Sequence, residues 1–312
     1  MSETQEQLFQ PGLIVDEEFS DYSLMQSSAK NWLFFTKYRF GSGKFYGRHS
    51  GVQLNHLQFG HAERHEGMMY KGLSPKDCIT IALLQKNRGQ VCVNRLKMEV
   101  GDLIVIDDSK PYDFVSSHHT LMSIISIHKS LIATQIPFIL SATDKKFKDH
   151  NSILSKVIES KWKASLETPC LLDNAHEIKK MERTILEAVR QSLTGQTGES
   201  SHLTKGEETA FEIKSYLLDS LEETMSIHSI AEKFELSEKT IENSFKSLFG
   251  ITPKHFIMLL KLNHAHKDLQ RANTQTANVS DVAIKWGFSH FGRFSSDYKS
   301  LFGIHPSQTL KL

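Results

Sequence analysis

The segment Lys246-Ser247-Leu248-Phe249-Gly250-Ile251-Thr252-Pro253 returns as Lys299-Ser300-Leu301-Phe302-Gly303-Ile304-His305-Pro306, identical at seven of eight positions and offset by 53 residues. Upstream the offset is 52, where Ile230-Ala231 aligns with Val282-Ala283 and Ser237 with Ser289. One residue is thus inserted in the second copy just after its turn, and beyond it Ile241 pairs with Phe294 and Phe245 with Tyr298. A chain that repeats a unit in this ordered way is expected to fold it twice into the same local structure.

Each copy divides into the same parts. Ser226 is positioned to cap a short helix from Ile227 to Phe234, and Ser280 one from Asp281 to Trp286. Tight turns follow at Glu235-Leu236 and Gly287-Phe288. Ser237 and Ser289 then stand as caps of second helices, whose stripes Ile241, Phe245, Leu248 and Phe294, Tyr298, Leu301 recur at spacings of four and three. Gly250 and Gly303 end these helices, because glycine takes the left-handed conformation of a helix C-terminus without strain. Pro253 and Pro306 open whatever follows, at a position where a missing N–H costs nothing. Two short helices joined by a tight turn make a helix-turn-helix, here at about 226–250 and 280–303.

Between the copies, residues 253–271 read as one helix, with Phe256, Leu259, Leu260, Leu262 and Leu269 as anchors. At about 1.5 Å per residue it spans roughly 28 Å, close to the ~34 Å between successive major grooves on one face of B-DNA. A helical bundle that binds protein explains the apolar stripes equally well, but neither the duplication nor the spacing. The net charge of +1 is uninformative, yet residues 237–312 carry 10 basic against 5 acidic side chains while residues 207–236 carry 2 against 8. Phosphates respond to the charge that faces them.

The run Asp281-Val282-Ala283-Ile284-Lys285-Trp286-Gly287-Phe288-Ser289-His290-Phe291-Gly292-Arg293-Phe294-Ser295-Ser296-Asp297-Tyr298, with Phe302-Gly303-Ile304-His305-Pro306-Ser307, resembles the signature of the AraC/XylS regulators. The resemblance covers residues 225–312, nearly a third of the chain. Phe291-Gly292-Arg293 replaces the commoner Pro-Ser-aromatic sequence, and Ser296 and Asp297 stand where Arg and Ala are frequent, so the departures bear on which bases are read. The ending also resembles, more weakly, the branch that includes the ethanolamine-operon regulator. The resemblance implies double-stranded DNA as partner across two adjacent major grooves, RNA polymerase as a second partner, and activation rather than repression. DNA-facing candidates are Ser237, Lys239, Thr240, Glu242, Asn243 and Lys246 in the first copy and Ser289, His290, Arg293, Ser296 and Lys299 in the second. By the family pattern Lys239, Glu242 and Asn243 point at base edges. Asn can pair with adenine, Glu can accept from cytosine, and Arg293 suits guanine or a phosphate; Lys246 and Lys299 suit phosphates. For Glu242 a surface role away from DNA is an equal alternative.

Ahead of this module, residues 31–127 read mostly as strands: Val52, Leu54, Leu57 and Phe59, then Ile79, Ile81 and Leu83, then runs at 103–106 and 121–127. Glu99-Val100-Gly101-Asp102 leading into Leu103 resembles the turn of a cupin-like barrel. From about Asn151 the pattern turns helical, and Ile178, Met181, Ile185 and Val189 share one face of a helix from near Asn174 to Leu193, as core packing or, alternatively, a dimer seam. The polar stretch Thr194-Gly195-Gln196-Thr197-Gly198-Glu199-Ser200-Ser201 reads as a flexible linker. The fold class expected is α+β: a β-rich, cupin-like effector or dimerisation domain (1–193), a linker (194–206) and an all-α double helix-turn-helix domain (207–312).

Other classes fit less well. A metal-dependent cupin enzyme needs H-x-H, then Glu, then a later His. His61-Ala62-Glu63-Arg64-His65-Glu66 has another spacing, Asp108-Ser109-Lys110-Pro111-Tyr112-Asp113 has no histidine, and His118-His119 point to opposite faces of a strand. No metal, cofactor or catalytic set is therefore expected. A DNA-repair protein with a reactive thiol needs clustered cysteines, whereas Cys78, Cys92 and Cys170 are scattered and read as small apolar side chains. Met1 to Tyr22 predicts no secretory leader, no apolar run is long enough for a bilayer, and the cytoplasm is the expected location. A small-molecule effector in the front domain and a homodimer complete the expected partners, with no residue singled out for either.

Overall fold

Side chains that alternate across a pleated strand sort themselves to two faces, and in the front half both faces are buried. The computed structural model describes residues 9–41, 43–200, 203–220, 226–272 and 278–310; Ser201 of the expected linker and Met225 lie outside them. The strands are β1 (Gly12–Phe19), β2 (Leu33–Arg39), β3 (Gly47–Gln53), β4 (Leu57–Leu73), β5 (Cys78–Asn87), β6 (Val91–Val93), β7 (Leu96–Lys97), β8 (Asp102–Asp107), β9 (Tyr112–His128) and β10 (Lys146–Lys148). They form one antiparallel sheet in the order β1-β3-β4-β9-β5-β8-β10, with β2 on β4 and β6 on β9. The stretch Val52 to Phe59 is a fold-back between β3 and β4. The acidic strand β1 was not foreseen.

Ile79, Ile81, Leu83, Leu103, Val105, Ile125 and Ile127 face one way, into a core completed by α2 (Lys129–Gln135), α3 (Ile153–Glu167) and α4 (Ala175–Leu193). Ala82, Leu84, Ile104, Ile106, Phe114 and Met122 face the other way, into a second core closed by α1 (Tyr22–Ser27). The stripe Ile178, Met181, Ile185, Val189 of α4 lies in the first core, so it is packing rather than a free seam. Asn174 caps α4 by accepting from the backbone of His176 and Glu177. Residues read as a flexible linker are tied down over 194–200: the Gln196 side chain brackets the Lys148 backbone at 3.0 and 2.8 Å, and Glu199 pairs with Lys146.

The helical half comprises α5 (Lys205–Asp219), α6 (Ile227–Lys233), α7 (Glu238–Phe249), α8 (Pro253–Arg271), α9 (Val279–Lys285), α10 (Phe291–Phe302) and α11 (Pro306–Thr309). Helices α6 and α9 start 52 residues apart, α7 and α10 start 53 apart, which places the inserted residue in the second turn. The turns match closely: Glu235 (φ 52°) and Gly287 (φ 76°) are both left-handed, and Leu236 and Phe288 donate to the carbonyls of Ala231 and Ala283. Gly250 (φ 71°) and Gly303 (φ 76°) end the second helices as expected. Two caps differ from the sequence reading. Asn278, not Ser280, caps α9, accepting from Ser280 and Asp281. Ser289 does not cap α10, which begins one residue later, after His290, without a side-chain cap.

The two halves are docked through α8. Asn263, fully buried, accepts from the Arg39 backbone N–H and donates to the Arg39 carbonyl, both at 2.8 Å, so its amide completes the edge of β2. Phe40 packs on Phe256 at 5.2 Å, the Tyr38 hydroxyl meets His264 Nε2 at 3.1 Å, and Gly43 N–H donates to Ser300 of α10. Buried Lys214 pairs with Asp113, and Lys97 pairs with Glu207. Burial works to raise the Glu207 carboxyl, yet hydrogen bonds from Lys97, Ser247 and Thr204 outweigh it and hold the pKa at about 2.

Replacing Asn263 with Ala leaves the Arg39 N–H and carbonyl buried without partners, and is expected to cost about 1–3 kcal/mol, read as a lower urea midpoint. His264 and His266 are lowered to about 4, first by burial. Their folded pKa values lie below the unfolded one, so the stability tied to their neutral forms is present above ~6.5 and is lost as pH falls towards 4. The urea midpoint should drop across that window, and less steeply in a His264→Asn variant. A flat profile would contradict this.

Candidate nucleic-acid interface

Both second helices bury one stripe and present the other. Ile241, Phe245 and Leu248 of α7 and Phe294, Tyr298 and Leu301 of α10 are buried. They pack toward α8, where Phe256 lies 5.4 Å from Phe245 and 5.6 Å from Phe249. On the second unit, Asp268 of α8 accepts from Trp286 Nε1 at 2.9 Å and from Lys285 Nζ at 2.8 Å. Burial would raise the Asp268 carboxyl, but these two bonds bring it below its usual value. One helix thus holds both units.

All the residues expected to face DNA are exposed or half-buried. Ser237 caps α7 through the Thr240 N–H, and its hydroxyl meets that of Thr240 at 2.8 Å, so this pair also fixes the helix start. Glu242 sits between Lys246 at 2.6 Å and Lys239 at 3.8 Å, and the Lys246 hydrogen bond, with both lysine charges, lowers its pKa. Its charge is balanced within the helix, while the exposed Asn243 side chain makes no hydrogen bond among the described residues. In the second unit Arg293 is 79% exposed, with only a loose contact of 3.7 Å to Asp297. His290, Ser296 and Lys299 line the same exposed helix, and Ser289 precedes it. Without a side-chain cap, the first-turn N–H groups of α10 remain available to an anion.

The front domain meets these helices at their other ends. Ser247 and Gly250 close α7 against Lys97 and Ser117, while Ser300 and Gly303 close α10 against Gly43 and Lys44. The N-terminal halves that carry Lys239, Asn243, His290 and Arg293 are left open. A groove beside α10 is lined by Lys254 and His255 from the start of α8 together with His290, Arg293 and Asp297. Lys254 was not foreseen from the sequence, where it is only a lysine after the Pro253 that opens α8.

Elsewhere, Glu63, His65 and His119 gather ligand-type atoms within 4.8 Å of one another. The sequence spacing gave no hint of this, since it is pairing of β4 with β9 that brings His119 within 2.8 Å of Glu63. The His119–Glu63 contact is a cross-strand hydrogen bond. The thiols of Cys78 and Cys92 are pushed up to about 12, first by burial, the opposite of an activated nucleophile, whereas Cys170 is exposed, contrary to its reading as a buried residue. No helix among the described residues is long and apolar enough to cross a membrane.

Arg293→Ala is expected to weaken specific DNA binding by about 1–3 kcal/mol, whereas Lys299→Ala should weaken all duplexes alike and reduce the salt slope by about one. Filter binding across a salt series would separate the two. An unchanged affinity for a footprinted site would remove Arg293 from the interface.

Residues 230–312, from within α6 to the end, match a family model described as a helix-turn-helix domain. Among curated proteins, the chain is 31% identical over 96 residues to the "Probable thc operon regulatory protein" of Rhodococcus erythropolis, covering 31% of this chain and 29% of that protein. It is 27% identical over 145 residues to the "XylDLEGF operon transcriptional activator" of Pseudomonas putida, covering 45% of each. The chain thus spans less than half the length of these relatives. A solved structure, the AraC-like transcriptional activator CuxR, aligns over 78% of this chain and 86% of that one at 16% identity, with a TM-score of 0.40.

Proposed function

We propose, from a chain whose residues 230–312 form a helix-turn-helix domain of the AraC/XylS family, that the protein is a sequence-specific transcription regulator, acting as an activator on the bacterial chromosome and therefore in the cytoplasm. The observation that carries this reading is the duplicated unit, both copies packed on α8 with the N-terminal halves of α7 and α10 exposed. A rigid helix of 19 residues spans a distance of the order of one duplex turn, so the two units are suited to adjacent major grooves of one face. Asn243 and Arg293 are the base readers in this scheme, with Lys239, Lys246, Lys254 and Lys299 on phosphates. RNA polymerase is the partner an activator requires.

The front domain supplies the control. Strand β2 begins among the aromatic residues of the inner sheet face, at Phe34, and ends at Tyr38 and Arg39 on α8. A small effector on that face, or a second protomer on the sheet, would act on DNA binding only to the extent that it binds one docking geometry better than another.

Footprinting of the full chain on its promoter should show two protected patches about one helical turn apart on one face of the duplex. Affinity should fall steeply with salt, in proportion to the phosphates contacted. A single patch, unaffected by substitutions in one of the two units, would contradict simultaneous docking, and attachment insensitive to salt would contradict DNA binding by this face.

A further inference from the structure

Glu63 and His65 stand two residues apart on β4 and so face the same side of the sheet, away from Arg64, which points into the inner core beside Tyr70. Strand β9 brings a third member. Arg64 pairs with Thr120 and Glu66 with His118, which sets His119 beside His65. The His119 Nε2 lies 2.8 Å from Glu63 Oε1, and the His65 Nε2 lies 3.7 Å from the same oxygen. One carboxylate oxygen and two imidazole nitrogens thus converge, all within 4.8 Å of one another.

The hydrogen bond between His119 and Glu63 needs no second histidine. At 3.7 Å His65 makes no hydrogen bond to the carboxylate, yet its ring is held toward it, with centroids 4.4 Å from Tyr46 and 4.6 Å from His119. Arg48 stands opposite Glu63 in the register of β3 on β4, but it is turned to Asp16, with Nε at 3.2 Å and Nη2 at 2.8 Å. Glu63 therefore has no lysine or arginine partner among the described residues, only the two imidazoles.

Ligands about 2.0–2.1 Å from a zinc ion stand roughly 3.3 Å apart at tetrahedral angles. The two separations measured from Glu63 Oε1 bracket that value, so small side-chain rotations suffice to bring the three donors around one ion. Two imidazoles with one carboxylate suit zinc and its neighbours cobalt and nickel, whereas magnesium and calcium favour oxygen donors. Three protein donors leave one position for water. The His65 side chain is 48% exposed, so an ion reaches the site from solvent. The assignment is to binding, with no reaction attached.

We propose that Glu63, His65 and His119 bind one divalent transition-metal ion of the zinc class, which ties β4 to β9 beside the surface on which the helical half docks. Two residues beyond His65, the Gly67 carbonyl accepts from the Phe40 and Gly41 N–H groups, and Phe40 packs on Phe256 of α8. Two residues before His119, Ser117 packs against Gly250 at the end of α7. An ion held only by the paired strands stabilises that pairing, and with it both supports.

Calorimetry on the untagged full chain, stripped with EDTA and dialysed, tests the site with zinc chloride, and with magnesium chloride as the hard-cation control. One zinc should bind per chain with Kd below about 10 μM, and magnesium at least about a hundredfold more weakly. Loss of even an outer partner of a metal ligand costs about 10–100-fold in affinity, so Glu63→Gln, His65→Gln and His119→Gln should each weaken zinc at least about tenfold. Cobalt(II) gives a second readout, a visible d–d band that each variant should lose. Bound zinc should also slow hydrogen exchange at the Phe40 and Gly41 amides of the unaltered chain, but not of His65→Gln. No zinc uptake, uptake unchanged in Glu63→Gln and His65→Gln, or magnesium binding as tight as zinc would overturn the site. Bound zinc with unchanged exchange at Phe40 and Gly41 would overturn the tie to the docking surface. If His119→Gln does not fold, the more exposed His65→Gln decides. None of these readouts involves DNA, so their failure leaves the regulator reading as it stands.

Discussion

Helix α8 has three clients, and the architecture follows from their competition for its surface. A helix that serves one core carries one apolar stripe; α8 instead buries Phe256, Ile257, Leu259, Leu260, Leu262, Asn263, Ala265, His266 and Leu269, which run around its circumference. A helix buried on all sides must be enclosed by other structure. Here the first helix-turn-helix unit covers one side through Phe245 and Phe249, and the second covers another through Trp286, whose Nε1 donates to Asp268 of α8. The edge of β2 covers the third through Arg39 and Phe40. Loss of any one client exposes apolar surface and orphans polar groups, so the positions of both units and of the front domain are set together.

The polar atoms on α8 are what make that arrangement particular. Apolar packing alone tolerates sliding, whereas Asn263 gives and accepts one hydrogen bond at a single residue of β2, and Asp268 fixes Trp286 and Lys285 at a single place. Moving either contact by one residue would leave buried donors and acceptors unmet. The docking is therefore held in one register.

The helical half was legible because its signals are local. Spacings of three and four, a glycine where the backbone turns left-handed and a proline at a helix start are written in neighbouring residues, and the duplication confirmed each reading once more. The misreadings are local as well. Asn278 outcompetes Ser280 as a cap because it stands two positions earlier and its side-chain oxygen accepts from the Ser280 and Asp281 N–H groups, and the inserted residue moves the start of α10 past Ser289. What could not be read was anything fixed by long-range pairing. Strand β1, with Asp16, Glu17 and Glu18, looks like a solvated stretch until β3 pairs with it. Asn263 looks like a polar residue on a helix surface until β2 arrives. Arg64 stands between Glu63 and His65 in a run that reads as a charged face, and only the pleat separates it from them.

Arg64 and Arg293 show how the same side chain takes opposite meanings from its surroundings. Arg293 is in water, its charge is solvated, and its loose contact with Asp297 costs little to break when a base or phosphate is offered. Arg64 is out of water, 3% exposed, with its Nη1 buried and unpaired among the described residues, so it is an energetic deficit held in place by the rest of the sheet. The strand that borders this deficit also carries the Arg39 backbone that Asn263 requires.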